Sequence, residues 1–211
     1  MRAKSFPSTR RPFFDTKVLR EVPYVFFTIG EFFGFMGLYI PFYYISSYAI
    51  AHKIVDQNLA FYLLTILNTG SVFGRIVPNF FSDKIGPLTV TMPFSIFCGI
   101  VAFSWISIHS TGPLIVFCIF YGFFSGTFVS IMGPALATLS PDLALVGTHM
   151  GMSFAFAALG LLIGNPVAGV LLDGAGWIGA AAFCGAANVL AGLFILAARW
   201  WKVGWRVEVK V

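Results

Sequence analysis

The sequence predicts an all-α membrane protein in which six transmembrane helices form one domain. Of its 211 residues, 58% are hydrophobic and only 10% are charged, and the mean hydropathy is +0.89. Soluble domains carry about 25% charged residues, so this chain has too little polar surface to fold in water. Six windows of roughly 20 apolar residues follow one another, each long enough to cross a hydrocarbon core of about 30 Å.

The six predicted spans are separated by short polar breaks, and no soluble domain interrupts them. They run over residues 22–51, 59–81, 87–108, 112–139, 146–172 and 177–200. The breaks carry the few polar clusters, such as Ser82-Asp83-Lys84 and Asp173-Gly174. The chain therefore divides into a basic N-terminal segment (1–21), a six-helix domain (22–200) and a C-terminal tail (201–211).

Basic residues cluster at both ends of the chain. They are Arg2, Lys4, Arg10, Arg11, Lys17, Arg20, Arg199, Lys202, Arg206 and Lys210. Six crossings place both termini on one side of the membrane, and Arg75 and Lys84 then lie near that side too. With that side in the cytoplasm, only Lys53 of the thirteen basic residues lies outside, so the positive-inside bias predicts cytoplasmic termini. Trp200, Trp201 and Trp205 fit an interfacial anchor.

Several other classes of protein do not fit the sequence. The basic residues flank membrane spans instead of forming a patch, so we expect no nucleic-acid partner. Cys98, Cys118 and Cys184 lie inside apolar runs without metal-ligand spacing, so we interpret them as packing residues and expect no metal or cofactor. No catalytic signature is present, which predicts that the protein is not an enzyme. The N-terminal segment has no apolar core before a cleavage site, so we expect no signal peptide.

The second span carries a polar stripe. At about 100° per residue, the side chains of this stripe share a face roughly 80° wide. They are Asn68, Ser71, Arg75, Asn79 and Ser82. We expect the stripe to face the bundle interior, because a guanidinium exposed to lipid costs several kcal/mol, and a fixed cation there favours anionic substrates. The alternative is that Arg75, about six residues before the end of the span, snorkels to the headgroups.

The first span carries an acidic residue, Glu31, on the same face as Thr28 and Tyr39. A desolvated carboxylate has a raised proton affinity, so Glu31 is a candidate proton carrier. The alternative is that it lies near the cytoplasmic interface and pairs with a cation. His149, early in the fifth span, is more simply interpreted as a packing or interfacial residue.

Glycine and proline interrupt the apolar runs. Two small-xxx-small patterns, GFFSG from Gly122 and GLLIG from Gly160, favour close helix packing. Pro134, Asn165 and Pro166 are candidate helix breaks, where irregular backbone lies beside a water-filled path. Tight packing is the alternative interpretation of these positions, and the two are compatible.

Four stretches together resemble the C-terminal half of a major facilitator superfamily transporter, most closely the fungal monocarboxylate-transporter-like branch with its carboxylate and riboflavin permeases. They are LREVPYVFFTIGEFFGFMGLYIPFYYISSYA, ILNTGSVFGRIVPNFFSDKIG, GTFVSIMGPALATLSPD and GTHMGMSFAFAALGLLIGNPVAGVLLD. The resemblance covers nearly the whole chain, about residues 13–198. It implies a 12-span fold of two six-helix halves, each a 3+3 inverted repeat, that rock around a central substrate path.

The resemblance also implies roles for individual residues. The stretch GRIVPNFFSDKIG matches a cytoplasmic loop motif that helps to hold that face closed. The gate residues are then Gly74, Asp83, Lys84 and Gly86. Monocarboxylate carriers place a substrate- and proton-linked arginine where this chain has Arg75, with an aspartate one turn earlier. Here that position is Ser71, which departs from the pattern and leaves Glu31 as the candidate carboxylate.

The expected function is secondary transport of small, monocarboxylate-like organic anions, with a proton as the candidate co-substrate. The expected substrate path is formed by Arg75, Asn68, Ser71, Asn79, Glu31 and Tyr39. Because six spans are half of the implied fold, we expect a fragment or mis-started gene model that is inactive by itself. The alternatives are six-span chains that pair, or a non-transporting scaffold or regulatory protein. The expected partners are the bilayer of the plasma or an organelle membrane, and a missing N-terminal half or a second chain.

Overall fold

The computed structural model describes residues 13–204 as a bundle of long α-helices. The helices are α1 (Val22–Leu38), α2 (Ile40–Ala51), α3 (Gln57–Ile85), α4 (Pro87–Ser104), α5 (Thr111–Leu139) and α6 (Val146–Val203). Short 3-10 helices cover Val18–Arg20, Trp105–Ser107 and Leu143–Leu145. The predicted cluster residues Arg2, Lys4, Arg10, Arg11, Arg206 and Lys210, and the predicted anchor Trp205, lie outside the described residues.

Residues 13–204 contain five helical stretches that are long and apolar enough to cross a membrane. They are Val22–Ala51, Gln57–Ile85, Pro87–Ser107, Thr111–Leu139 and Leu143–Val203. The last has 61 residues and would extend roughly 90 Å if straight, about three times the hydrocarbon thickness. Gly176 divides it, because its φ of 67° and ψ of −164° are not helical. The six predicted spans are therefore present as helices, and the last break lies at Gly176 instead of Asp173-Gly174.

Two helix boundaries have local causes. α1 ends at Leu38, and Pro41, which lacks a backbone N–H, lies in the first turn of α2. Gly86 alone connects α3 to α4 with a φ of 94°, a conformation that glycine adopts without strain. Pro87 then begins α4, where its missing N–H costs no helical hydrogen bond.

α1 packs between the two parts of α6. A Cβ atom at Gly164 would overlap the backbone of Met36 in α1. On the other side of α1, a Cβ atom at Gly37 would lie 2.8 Å from the carbonyl oxygen of Cys184. Small residues therefore let the helices approach closely, as the pattern from Gly160 predicts.

A second close contact joins α3 to α5 and is called the glycine seam. Its members are Gly70 and Gly74 of α3 and Gly122 and Gly126 of α5. A Cβ atom on any of them would run into the backbone of the opposite helix. Thr127 of α5 also donates a 2.8 Å hydrogen bond to the Gly74 carbonyl oxygen. The pattern from Gly122 therefore marks a packing surface, as predicted.

Candidate functional site

Glu31 is fully buried where α1 meets the first part of α6. Ser153 of α6 donates a hydrogen bond to Glu31 Oε2, and its Oγ lies 3.0 Å from Thr28 Oγ1. The second carboxyl oxygen, Oε1, is buried without a hydrogen-bond partner among residues 13–204. Over residues 13–204, no basic side chain forms an ion pair with Glu31, so the structure does not support the cation-paired alternative. Hydroxyl groups hold this carboxyl group in an apolar environment, and Thr28, Ser153 and Glu31 are together called the carboxyl cluster.

His149 is also fully buried, one turn before Ser153 on α6. Its Nε2 lies 3.3 Å from Asp15 Oδ2, and its Nδ1 lies 2.5 Å from Ser140 Oγ. Tyr24 of α1 donates a 2.7 Å hydrogen bond to the His149 carbonyl oxygen. The backbone N–H of Lys17, 2.9 Å from Asp15 Oδ1, lowers the pKa of Asp15, and the His149 side chain lowers it further. The histidine interpreted as a packing residue therefore ties residues 13–20 to the start of α6.

Tyr39 lies at the junction of α1 and α2 within an aromatic cluster. The cluster consists of Phe35, Tyr39, Phe42, Tyr121 and Phe128. The Tyr39 ring centroid lies 6.1 Å from that of Phe35 and 5.4 Å from that of Phe42. Tyr121 and Phe128 of α5 are buried, whereas the three rings of α1 and α2 are half-buried. The half-buried rings leave aromatic surface for contact with another molecule.

The polar stripe of α3 does not face the interior of these six helices as a whole. Ser71 and Ser82 are buried, but Asn68 and Arg75 are exposed. The half-buried Asn79 donates through Nδ2 to its own helix at the Arg75 carbonyl oxygen and to Ser130 Oγ of α5, both at 2.5 Å. The prediction of an inward-facing stripe is therefore wrong for Asn68 and Arg75, because the glycine side of α3 takes the buried face.

The predicted gate loop is not a loop. Ser82 to Ile85 form the last turn of α3, and Gly86 is the single connecting residue, while Asp83 and Lys84 are exposed. Gly74 lies three turns earlier in the glycine seam, so its structural role is helix packing. The motif therefore combines a packing glycine, a turn glycine and an exposed charged pair.

Neither proline of the predicted helix breaks interrupts its helix. α5 continues through Pro134, and α6 continues through Asn165 and Pro166. Tyr44 of α2 donates a 3.2 Å hydrogen bond to the Asn165 carbonyl oxygen, and the Asn165 side-chain oxygen is buried without a hydrogen-bond partner in the described part of the chain. Each proline removes one N–H donor, the one that would bond the carbonyl group four residues earlier, at Ser130 and Leu162, and membrane helices tolerate such a loss.

The predicted path residues fall into three separate groups. Glu31 belongs to the carboxyl cluster, Tyr39 to the aromatic cluster, and Asn68, Ser71, Arg75 and Asn79 to α3. Within residues 13–204, no ion pair joins Arg75 to Glu31. The same residues contain no group of three His, Cys, Asp or Glu side chains that could hold a metal ion.

Residues 29–208 match the sequence profile of the Major Facilitator Superfamily. Over 198 residues, the chain is 35% identical to the agnestins efflux protein AgnL12 of Paecilomyces divaricatus, covering 94% of this chain and 45% of that protein. It is 36% identical to the aspyridones efflux protein apdF of Emericella nidulans, over 79% of this chain and 34% of that protein. It is 37% identical to the MFS-type transporter 1 of Ophiocordyceps sp., over 85% of this chain and 40% of that protein. The chain thus spans less than half the length of these curated relatives, and it belongs to the major facilitator superfamily, a family of membrane transporters and not of enzymes.

Proposed function

We propose that this chain is the carboxy-terminal half of a secondary transporter that exports weakly acidic organic compounds with an aromatic body, coupled to protons. Two relatives are named efflux proteins, which supports export as the direction. The distribution of basic residues supports cytoplasmic termini. The proposal keeps the anionic group of the predicted monocarboxylate and adds an apolar body, for which the aromatic cluster provides contacts.

The buried carboxyl group of Glu31 is the observation that carries the proposal. Taking an ionised carboxylate out of water without a cation costs a large free energy, so the buried arrangement suits the protonated group. Release of the proton then requires a change that brings water or a cation to the carboxyl cluster. A conformational change that opens and closes the cluster would therefore couple proton movement to transport.

Arg75 supports the inference that the substrate carries an acidic group. It lies roughly 40° around α3 from the buried Ser71, so it borders the glycine seam. In the described part of the chain, its guanidinium has no acidic partner. A planar guanidinium with free donors recognises carboxylates by paired, charge-assisted hydrogen bonds.

The direct test is counterflow of labelled 2-naphthoate at pH 7.5 in proteoliposomes, with protein-free liposomes subtracted. The chain is reconstituted alone and together with the amino-terminal half of AgnL12. We expect 2-naphthoate counterflow, faster than pyruvate counterflow, when both halves are present. A pair of folded halves that transports neither compound would contradict the proposal and favour the scaffold alternative.

Substitution of Glu31 separates coupling from transport. With Glu31→Gln, we expect counterflow to continue while accumulation driven by a pH gradient is lost, because an amide carries no exchangeable charge. Accumulation that persists in this variant would show that Glu31 is not the coupling group.

Substitution of Arg75 tests recognition of the acidic group. We expect Arg75→Lys to slow 2-naphthoate counterflow about tenfold at unchanged expression, because lysine cannot form the paired hydrogen bonds. Arg20→Lys, which changes an exposed arginine outside the spans, is the matched control. Normal counterflow by Arg75→Lys would show that Arg75 snorkels to the headgroups.

A further inference from the structure

A cavity of about 430 Å³ lies between residues 14–19, α1 and the first part of α6. Its main lining residues are Phe14, Leu19, Tyr24, Thr28, Met152 and Phe156. The lining is mostly apolar and includes three aromatic rings. Its volume falls in the range of cavities that hold small organic molecules, about 300–1,000 Å³.

The N-terminal side of the cavity is a strap, residues 13–20, that polar contacts and one buried apolar side chain hold in place. Asp15 contacts His149 through its carboxylate, and its backbone N–H donates to Met152 Sδ at 3.4 Å. Both partners lie on α6. Val18 is fully buried in the hydrophobic core and adds an apolar anchor, whereas Phe14 remains 62% exposed and Leu19 46% exposed. The strap therefore covers the cavity without filling it.

Two hydroxyl groups converge on this apolar lining. Tyr24 uses its proton to donate to His149, so its oxygen keeps a lone pair for another donor. The Thr28 oxygen has the same capacity beside its contact with Ser153, which in turn donates to Glu31. The cavity is thus one hydrogen bond away from Ser153 and two from the buried carboxyl group. The unpartnered Oε1 atom of Glu31 shows that this polar group is incompletely satisfied within the described residues.

We propose that this cavity binds the neutral form of an aromatic compound that carries a hydroxyl group. The aromatic body packs against Phe14 and Phe156, and the hydroxyl group donates to Tyr24 or Thr28. The inference rests on the proposed function and deepens it, because it names the site and chemical class at which the substrate first binds. Occupancy changes the contacts of Thr28 and so reaches the carboxyl cluster through Ser153.

The test is photolabelling of the purified 211-residue chain in detergent with a diazirine derivative of 2-naphthol. We expect labelled peptides from residues 14–29 and 152–156, and loss of that label when excess 2-naphthol is added. 2-Methylnaphthalene, which lacks the hydroxyl group, should compete about fivefold less well, as expected for one lost hydrogen bond. Thr28→Val should reduce this difference between the two competitors.

Ile29→Trp, which fills the cavity, should abolish the competed label. Leu193→Trp is its matched control, because it enlarges a side chain at a second cavity of about 260 Å³ formed by the last part of α6. The inference would be overturned if the label were spread over the exposed apolar face of α3. It would also be overturned if the cavity could be labelled only after a retained phospholipid had been removed. The readout is binding and not transport, so failure here is distinguishable from failure of the counterflow assay.

Discussion

Gly74→Ala provides the sharpest test of the packing argument. The added Cβ atom would overlap the carbonyl oxygen of Phe123 and lie 2.7 Å from its carbonyl carbon and 2.9 Å from its Cα atom. Carbon atoms prefer separations of about 3.5–4.0 Å, so the glycine seam must open by about 1 Å. Both colliding groups are backbone, and neither can rotate away as a side chain could.

The expected cost follows from this geometry. Overpacking of a close contact lowers the free energy of unfolding by about 1–3 kcal/mol, and the higher helix propensity of alanine offsets about 1 kcal/mol of this loss. The net loss in free energy of unfolding is therefore about 0–2 kcal/mol relative to the unsubstituted chain, and about 1–3 kcal/mol relative to a helical Gly→Ala variant without the collision. For a chain of this size, each kcal/mol corresponds to about 2–4 °C, so Tm should be about 2–12 °C lower than in such a control variant.

The assay uses the three buried cysteines, Cys98, Cys118 and Cys184. A dye that fluoresces on reaction with thiols reports unfolding in detergent as these side chains become accessible. Gly151→Ala is the matched control, since no atom of the described residues lies within 4 Å of the added Cβ atom and Gly151 is helical and exposed. An equal Tm for the Gly74→Ala and Gly151→Ala variants would refute the argument.

Two further substitutions test the strap and the kink. Because the pKa of Asp15 is lowered in the folded protein, its carboxylate stabilises the folded strap fully above the ordinary pKa of 3.8. This stabilisation is lost as pH falls through the lower pKa of the folded state. A spin label attached at Phe13→Cys should therefore gain mobility as pH falls from about 4. Adding Asp15→Asn should make the same label mobile at pH 7. A label that stays immobile in both experiments would contradict the role of Asp15. Gly176→Ala should lower the free energy of unfolding by about 1–3 kcal/mol, because an alanine is strained at a φ of 67°. Gly174→Ala should not, although no described atom lies within 4 Å of an added Cβ atom at either position. Equal melting temperatures of the two variants would contradict backbone strain at Gly176.

The helices could be predicted from sequence because insertion of each span depends mainly on its own residues. An apolar stretch of sufficient length forms a helix to satisfy its backbone in lipid, whatever its neighbours are. The stretches beginning at Val22, Gln57 and Thr111 therefore follow the predicted spans closely. The predicted breaks at Pro134 and Pro166 were wrong, since a proline in a membrane helix breaks it or is tolerated according to its surroundings and not by its own identity alone.

The side of α3 that is buried, and the residues that the strap contacts, depend on partners distant in sequence. Helical periodicity showed that Ser71 and Arg75 share a stripe, but not that Gly70 and Gly74 would bring α5 onto the adjacent face. Asp15 and His149 are 134 positions apart, and no local pattern links an acidic residue to a histidine at that distance. The sequence alone therefore located the candidate charges but not their neighbours.

Packing and substrate recognition meet on α3, and this allows the two to be separated experimentally. Arg75 follows Gly74 directly and borders the glycine seam, so an opening of about 1 Å in the seam would displace its guanidinium by a similar distance. Misplacement on that scale is enough to weaken a paired hydrogen bond to a carboxylate. Gly74→Ala should therefore reduce both stability and 2-naphthoate counterflow, whereas Arg75→Lys should reduce counterflow alone. If Gly74→Ala lowers Tm while counterflow stays normal, Arg75 does not contact the substrate from its position beside the seam.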